Sequence, residues 1–154
     1  MPDMLVKLYD LPPKRDLSGK DYKIQRAMTP DKFKVVEWVR EHMGENTAGE
    51  CDTSFSRQPV SCFIAVRDKE ILGFACYDAT ARDFFGPTKV LESEQGKGIG
   101  RDLLLECMYA MREEGYGYAI IGGVGPVEFY EKSVGAVLIP DSTPGIYKDF
   151  LGDM

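Results

Sequence analysis

The stretch EQGKGIGRDLL, residues 94–104, places three glycines at alternate positions directly before an apolar, helix-like segment. Glycines allow successive backbone N–H groups to turn toward one point, and the start of a helix adds a partial positive charge. Glycine-rich turns of this kind are most often built for phosphate. The stretch therefore predicts an anion-binding loop that leads into a helix.

The two best-known phosphate loops do not fit this sequence. A P-loop requires Ser or Thr after its lysine to reach magnesium, whereas Lys97 is followed by Gly98. A dinucleotide-binding loop requires the spacing G-x-G-x-x-G in a parallel βαβ unit, whereas Gly96, Gly98 and Gly100 are spaced G-x-G-x-G. They also lie more than half way along the chain, after an antiparallel hairpin pattern.

The surrounding chain alternates strand-like and helix-like patterns. Helical spacing and end signals predict helices over residues 29–44, 99–114 and 126–135. Apolar alternation predicts strands over residues 22–28, 60–67, 71–79, 88–91, 116–124, 136–140 and 145–151. Residues 4–13 predict a short edge strand, and residues 45–59 a loop with a short helix. Within the helices, the core faces are predicted from Phe33, Val36 and Val39 and from Ile99, Leu103, Cys107 and Met111.

Composition limits the class of protein. The chain has 154 residues, 44% hydrophobic and 29% charged, which predicts one mixed α/β domain over residues 1–154. Its formal net charge of -6 argues against a nucleic-acid partner, because such proteins usually present a basic surface. No apolar run approaches the roughly 20 residues of a membrane span. We expect a soluble cytoplasmic protein without a membrane partner.

Metal chemistry is not expected from the sequence. The four cysteines form no CxxC pair, and His42 is the single histidine, so a zinc cluster is not predicted. Reduced, buried thiols are the interpretation for the cysteines, and a surface or capping position for His42. The four cysteines are Cys51, Cys62, Cys76 and Cys107.

The glycine loop resembles the acyl-CoA signature of the GNAT superfamily of N-acyltransferases. That signature is Gln or Arg-x-x-Gly-x-Gly or Ala, five residues after an apolar strand residue, and Gln95, Gly98 and Gly100 match it with Val90 as the strand residue. A second stretch, EFYEKSVGAVLI, resembles the family's FYEKxGF segment and contains Tyr130. The resemblance extends from about Tyr22 to the C-terminus, which leaves residues 1–21 as an N-terminal extension with a candidate edge strand.

The resemblance implies a fold and a reaction. The fold is a mixed, mostly antiparallel central sheet with splayed middle strands, flanked by helices. The reaction is transfer of the acetyl group of acetyl-CoA to an amine, with the Val90 N–H stabilising the oxyanion and Tyr130 as general acid. The implied coenzyme contacts are Thr88, Lys89 and Val90 on the strand edge and Gln95, Gly96, Lys97, Gly98, Ile99, Gly100 and Arg101 in the loop, with the charges of Lys97 and Arg101 at its rim.

The acceptor side is less determined by the sequence. Gly123 stands where many members carry asparagine, and no glutamate occurs in the strand YGYAIIGG, so the general base is left open. The candidates are Glu50, Asp52, Asp78, Asp83, Glu128 or a chain of waters. Residues 45–59, residues 83–87 and the C-terminal strands are predicted to form the acceptor pocket, with Phe84 and Phe85 as walls.

The acceptor and the assembly state also remain open. An acidic chain favours a cationic amine on a small molecule or a peptide. The sequence is compatible with a monomer or a homodimer. The alternative function is a catalytically silent acyl-CoA sensor or regulatory module.

Overall fold

The computed structural model describes residues 1–152 as a seven-stranded sheet with helices on both faces. The strands are β1 (Met4–Lys7), β2 (Lys23–Arg26), β3 (Cys62–Arg67), β4 (Glu70–Tyr77), β5 (Phe84–Val90), β6 (Tyr118–Ile121) and β7 (Val137–Leu138). The helices are α1 (Lys32–Met43), α2 (Glu45–Ser54), α3 (Ile99–Glu113) and α4 (Val127–Val134). Single turns of 3₁₀ helix span Leu8–Asp10, Thr29–Asp31, Glu92–Glu94 and Gly145–Asp149.

The sheet is mixed and mostly antiparallel, as the sequence predicted. Its strand order is β2-β3-β4-β5-β6-β1-β7, and β5 with β6 is the parallel pair. The side chains of β4 point into two separate cores, and the alternation shifts by one residue at an irregularity between Ile71 and Gly73. Leu72, Ala75 and Tyr77 face the core that includes α3, whereas Ile71, Phe74 and Cys76 face the core that includes α1 and α2. The central strands are therefore covered on both faces.

Helix α3 fixes the position of the glycine loop. The predicted face Ile99, Leu103, Cys107 and Met111 is fully buried, because these residues recur at four-residue intervals and pack on the sheet. Gly115 follows this helix with a φ of 104° and ends it. The helix bounds predicted from the sequence are thereby confirmed to within one residue.

The N-terminal strand is not at an edge, so that prediction was wrong. β1 lies between β6 and β7, paired antiparallel with both, from Met4↔Ile121 on one side and Met4↔Leu138 on the other. Met4 and Val6 have no exposed surface. The sequence pattern shows that a strand is apolar, but it does not show which strands flank it.

Two further local predictions were wrong, and one was confirmed. Residues 145–151 form a 3₁₀ turn over Gly145–Asp149 rather than a strand. The short helix predicted within residues 45–59 is present as α2, which spans ten residues. The Phe33 side chain is 79% exposed rather than in the core, and its ring lies under the Lys32 ammonium. Val35, Val36 and Val39 form the buried face of α1 instead. No helix within residues 1–152 is both long and apolar enough to cross a membrane.

Candidate active site

A cleft opens where β5 and β6 separate. The two strands pair only at Phe84↔Ile120 and Phe85↔Ile121, so residues 86–90 of β5 have no strand partner on that side among the described residues. The cleft has a volume of about 920 Å³. It is lined by nine of the ten predicted coenzyme contacts, namely Thr88, Lys89, Val90, Gln95, Gly96, Gly98, Ile99, Gly100 and Arg101.

The open edge of β5 presents backbone donors to this cleft. Leu91 N donates to Leu72 O on β4 at 2.9 Å, and Gly73 and Val90 are the next opposed pair. Because hydrogen-bonded and non-bonded pairs alternate in an antiparallel ladder, the N–H of Val90 points away from β4 and toward the cleft. The same alternation directs the N–H of Thr88 to the cleft. These donors can bind a carbonyl oxygen or an extended chain laid along the edge.

The glycine loop lies at the end of this edge, just before α3. Gly96 and Gly98 have φ values of 86° and 88°, a conformation that other residues adopt only with strain. A Cβ at Gly96 would meet no atom within 4 Å, so its backbone is open to the cleft. Gly98 precedes the first residue of α3, so the loop amides and the helix N-terminus act at the same place. This arrangement fits a diphosphate.

Ion pairs centred on Glu94 hold the loop in place. Arg67 Nη1 and Nη2 donate to the two carboxylate oxygens of Glu94 at 3.0 and 2.7 Å, and Lys97 Nζ lies 2.8 Å from Glu94 Oε1. These two cations lower the pKa of Glu94 to about 2. Lys97 is thus ion-paired and is the one predicted coenzyme contact that does not line the cleft. Gln95 Nε2 donates to Val90 O at 3.3 Å and ties the loop to the strand.

Tyr130 faces the same cleft from α4. Its ring makes edge contacts with Phe129 and Phe85, with centroids 5.0 and 6.3 Å apart, and the residue is 6% exposed. Burial raises the pKa of Tyr130 to about 12. The hydroxyl therefore carries its proton throughout the physiological range. The neutral phenol is therefore available at the cleft wall as a hydrogen-bond donor.

The cleft is also lined by a carboxylate. Glu50 on α2 lines it together with Tyr147, and its Oε2 accepts a hydrogen bond from the Thr80 hydroxyl. Burial raises the pKa of Tyr147, and the negative charge of Glu50 raises it further. Phe84 and Phe85 line the same cleft, in the place that the sequence predicted for walls.

The remaining candidate bases lie elsewhere. Asp52 pairs with Lys32 and Glu128 with Lys132, and both carboxylates are about half exposed or more. Asp78 lines a separate polar cavity behind the loop of residues 78–83, where both of its carboxylate oxygens accept from Tyr116. Asp83 has its backbone N–H bonded to Asp78 and does not line the cleft. Within residues 1–152, Glu50 is the one candidate that reaches it.

Two clusters of side chains were not predicted from the sequence. The Sγ atoms of Cys51, Cys62 and Cys76 lie within 4.8 Å of one another in the buried core beneath α2, although their spacing matches no metal motif. Arg15 contacts Asp102 and the glycine loop across more than 80 residues of chain. Neither grouping has a local signature, because each is created by the packing of distant elements.

Comparison with known proteins agrees with this geometry. The model of the acetyltransferase (GNAT) family matches residues 22–136. The chain therefore belongs to the GNAT family of acetyltransferases, which use acetyl-CoA as cosubstrate. A search of curated proteins found no match.

Solved structures share the fold at low sequence identity. A GCN5-related N-acetyltransferase from Sphaerobacter thermophilus is 18% identical, with a TM-score of 0.66 over 90% of this chain and 48% of its own. One from Kribbella flavida is 15% identical, with a TM-score of 0.64 over 89% of this chain and 53% of its own. The present chain thus spans about half the length of these relatives.

Proposed function

We propose that this chain is an N-acetyltransferase that moves the acetyl group of acetyl-CoA to a primary amine by direct attack in a ternary complex. The observation that carries the proposal is one continuous cleft that joins the glycine loop, the unpaired edge of β5 and Tyr130. Each of the three meets one need of the reaction. The glycine loop anchors the diphosphate, the edge of β5 orients the thioester, and Tyr130 protonates the leaving sulfur.

The coenzyme end of the cleft positions the donor. Backbone amides around residues 96–101 hold the diphosphate, and Arg101 adds charge at the rim. The pantetheine arm lies along residues 88–90 as an added strand. The Val90 N–H then donates to the thioester oxygen and stabilises the negative charge that develops there.

Proton transfer is divided between Glu50 and Tyr130, which line the same cleft. An alkyl ammonium with a pKa of about 10.4 must lose a proton before its nitrogen can attack. We assign Glu50 to bind that ammonium and to accept its proton. The amine nitrogen then bonds to the acetyl carbon, the carbon–sulfur bond breaks, and Tyr130 protonates the departing thiolate. The nitrogen releases its second proton, which restores the Tyr130 phenol, and Glu50 returns its own proton to solvent. The products are the acetylated amine and CoA with its free thiol.

The cleft also indicates a class of acceptor. Glu50 supplies a negative group for a cation, while Phe84, Met43 and Phe150 line the same region with apolar surface. An amine on an apolar or aromatic body fits this lining better than a highly polar sugar amine.

The decisive experiment is release of free thiol from acetyl-CoA in the presence of a panel of primary amines. We expect turnover with at least one amine that has an apolar body. Binding of acetyl-CoA without thiol release from any amine in the panel would instead favour the silent sensor. Absence of any acetyl-CoA binding would contradict both functions.

Substitution of Glu50 tests the acceptor end separately. We expect Glu50→Gln to lower kcat/KM for the amine by about 10²-fold, as for other general bases, with little effect on the KM for acetyl-CoA. Asp52→Gln, on the same helix but paired with Lys32, is the control and should be nearly silent. Equal losses in the two variants would exclude a specific role for Glu50.

A further inference from the structure

The segment of residues 12–15 lies along α3 and is attached to successive turns of that helix. Tyr109 donates its hydroxyl hydrogen to Pro12 O at 2.8 Å, and Lys14 Nζ lies 3.3 Å from Glu106 Oε1. Arg15 Nε donates to Asp102 Oδ1 at 2.8 Å. This segment precedes residues 22–136, the part of the chain that the family model matches. The segment itself therefore lies outside the part of the chain that the family model matches.

Asp102 creates an electrostatic problem for the glycine loop. Its side chain is 5% exposed and lies in the first turn of α3, the end of the helix that faces the loop. A carboxylate there opposes the positive potential that a helix N-terminus offers to an anion. A bound diphosphate and an unpaired Asp102 would repel each other across a region of low dielectric.

Arg15 removes this problem by direct contact. Its Nη2 atom lies 3.0 Å from Asp102 Oδ2 and 2.6 Å from Lys97 O, so one nitrogen joins the carboxylate to the loop backbone. The Tyr22 hydroxyl lies 2.7 Å from both Arg15 Nη2 and Asp102 Oδ2 and completes the cluster. Burial and then the bond to Asp102 raise the pKa of Tyr22 to about 12, so this hydroxyl stays neutral.

The loop is also shaped around the guanidinium. A Cβ built on Gly98 would lie 2.6 Å from Arg15 Nη2 and 2.9 Å from its Cζ. The absence of a side chain at position 98 thus makes room for Arg15, in addition to permitting the positive φ. The guanidinium and the loop backbone fit together as one unit.

We propose that Arg15 is a positioning residue for the coenzyme: it neutralises Asp102 and holds the Lys97 carbonyl, so that the loop amides present an uncancelled positive potential to the diphosphate. The proposal rests on the acyl-CoA loop of the proposed function. It assigns to the N-terminal extension a direct part in coenzyme affinity.

The test is a charge-rescue cycle measured by calorimetry with CoA as the probe. Arg15→Met keeps the aliphatic stem but removes the charge, and we expect it to raise the Kd for CoA about tenfold or more, the effect of an unpaired charge near a bound anion. The double variant Arg15→Met with Asp102→Asn should bind CoA within about threefold of wild type, because the repelling charge is gone. Lys14→Met, which breaks a neighbouring ion pair on α3, is the matched control and should leave the Kd unchanged.

Asp102→Asn alone tests whether loss of the ion pair itself, rather than loss of the positive charge, weakens CoA binding. This variant also breaks the ion pair, yet it should bind CoA as tightly as wild type or more tightly, because a positive charge remains beside the loop. The difference between wild type and Arg15→Met should shrink as salt rises from 0.1 to 1 M, where the screening length falls from about 10 to about 3 Å.

The outcomes separate the two proposals. If wild type binds CoA but Arg15→Met binds it equally well, the role of Arg15 is refuted and the function stands. If the double variant binds CoA as weakly as Arg15→Met, or if Asp102→Asn binds CoA more weakly than wild type, the electrostatic role is overturned. The cluster would then only support the structure. If wild type itself gives no heat with CoA, the proposed coenzyme site fails.

Discussion

The properties of single side chains in this protein depend on their surroundings in the fold more than on their residue type. Tyr130 is an ordinary phenol whose pKa burial raises to about 12. Glu94 is an ordinary carboxylate whose pKa Arg67 and Lys97 lower to about 2. The first keeps its proton and can donate it, while the second keeps its charge and braces the glycine loop. Both effects belong to individual residues and can be tested by individual substitutions.

Tyr130→Phe should lower turnover without weakening the binding of CoA. We expect turnover to fall on the order of a hundredfold, because the leaving thiolate loses its proton donor, while the Kd for CoA changes little. The measurement is steady-state thiol release together with calorimetry. Tyr118→Phe is the control, since the exposed Tyr118 hydroxyl lies 3.5 Å from the Tyr9 hydroxyl and Tyr118 does not line the cleft. Turnover that survives in Tyr130→Phe would remove this residue from the mechanism.

Asp83 should make stability depend on pH. Burial, and then the negative charge of Asp78, raise the pKa of Asp83 from 3.8 to about 6. Its Oδ1 has no hydrogen-bond partner within residues 1–152, so ionisation is disfavoured in the folded state. The folded protein therefore loses stability as pH rises from about 4 through about 6.

Asp83→Asn should remove this loss. Asparagine tolerates the φ of 67° at this position and has no charge to desolvate. We expect the variant to have the higher urea midpoint at pH 8 and a smaller advantage at pH 4. An advantage that is the same at both pH values would show that the burial of Asp83 is not coupled to its charge.

The strands and helices set the positions of the residues that line the cleft. β4 and β5 approach closely at Gly73, where a Cβ would lie 2.8 Å from Lys89 O and 3.2 Å from Val90 Cα. That approach fixes the strand that carries the open edge. Helix α3 fixes the glycine loop, and α2 brings Glu50 to the cleft. Each element sets one side of the cleft.

Gly73→Ala should therefore disturb both stability and coenzyme binding. A methyl group forced against the β5 backbone typically costs about 1–3 kcal/mol of unfolding free energy. We expect that loss in urea denaturation, together with weaker CoA binding, because residues 89 and 90 must move. Gly49→Ala, inside α2 with no atom within 4 Å of the added Cβ, is the matched control and should be neutral or stabilising. A neutral Gly73→Ala would show that the two strands can separate freely.

At the scale of the whole molecule, the N-terminal extension is part of the domain rather than an appendage. β1 is the strand that connects β7 to the rest of the sheet. Asp3 also accepts the Gly123 N–H at 2.9 Å, and Val124 N donates to Pro2 O at 2.7 Å, beside the cleft. Residues 12–15 then attach to α3. The first fifteen residues thus contact both the loop between β6 and α4 and the start of α3.

Deletion of residues 1–8 should abolish cooperative folding. Without β1, β7 loses its partner and β6 exposes an unpaired edge. We expect no sharp thermal transition by circular dichroism, and partial recovery when a peptide of residues 1–8 is added. A truncated protein that melts like the full chain would show that β1 is dispensable.

The sequence alone determined what is local. The period of apolar residues predicted α3, the glycine spacing predicted an anion-binding loop before it, and the motif around Tyr130 indicated the family, because each of these signals is contained in a few consecutive residues. Only the tertiary structure decided that β1 is central, that Glu50 alone among the candidate bases within residues 1–152 reaches the cleft, and that Arg15 neutralises Asp102. Those contacts join residues tens of positions apart, and the free energy that selects them comes from packing the whole sheet and its helices together.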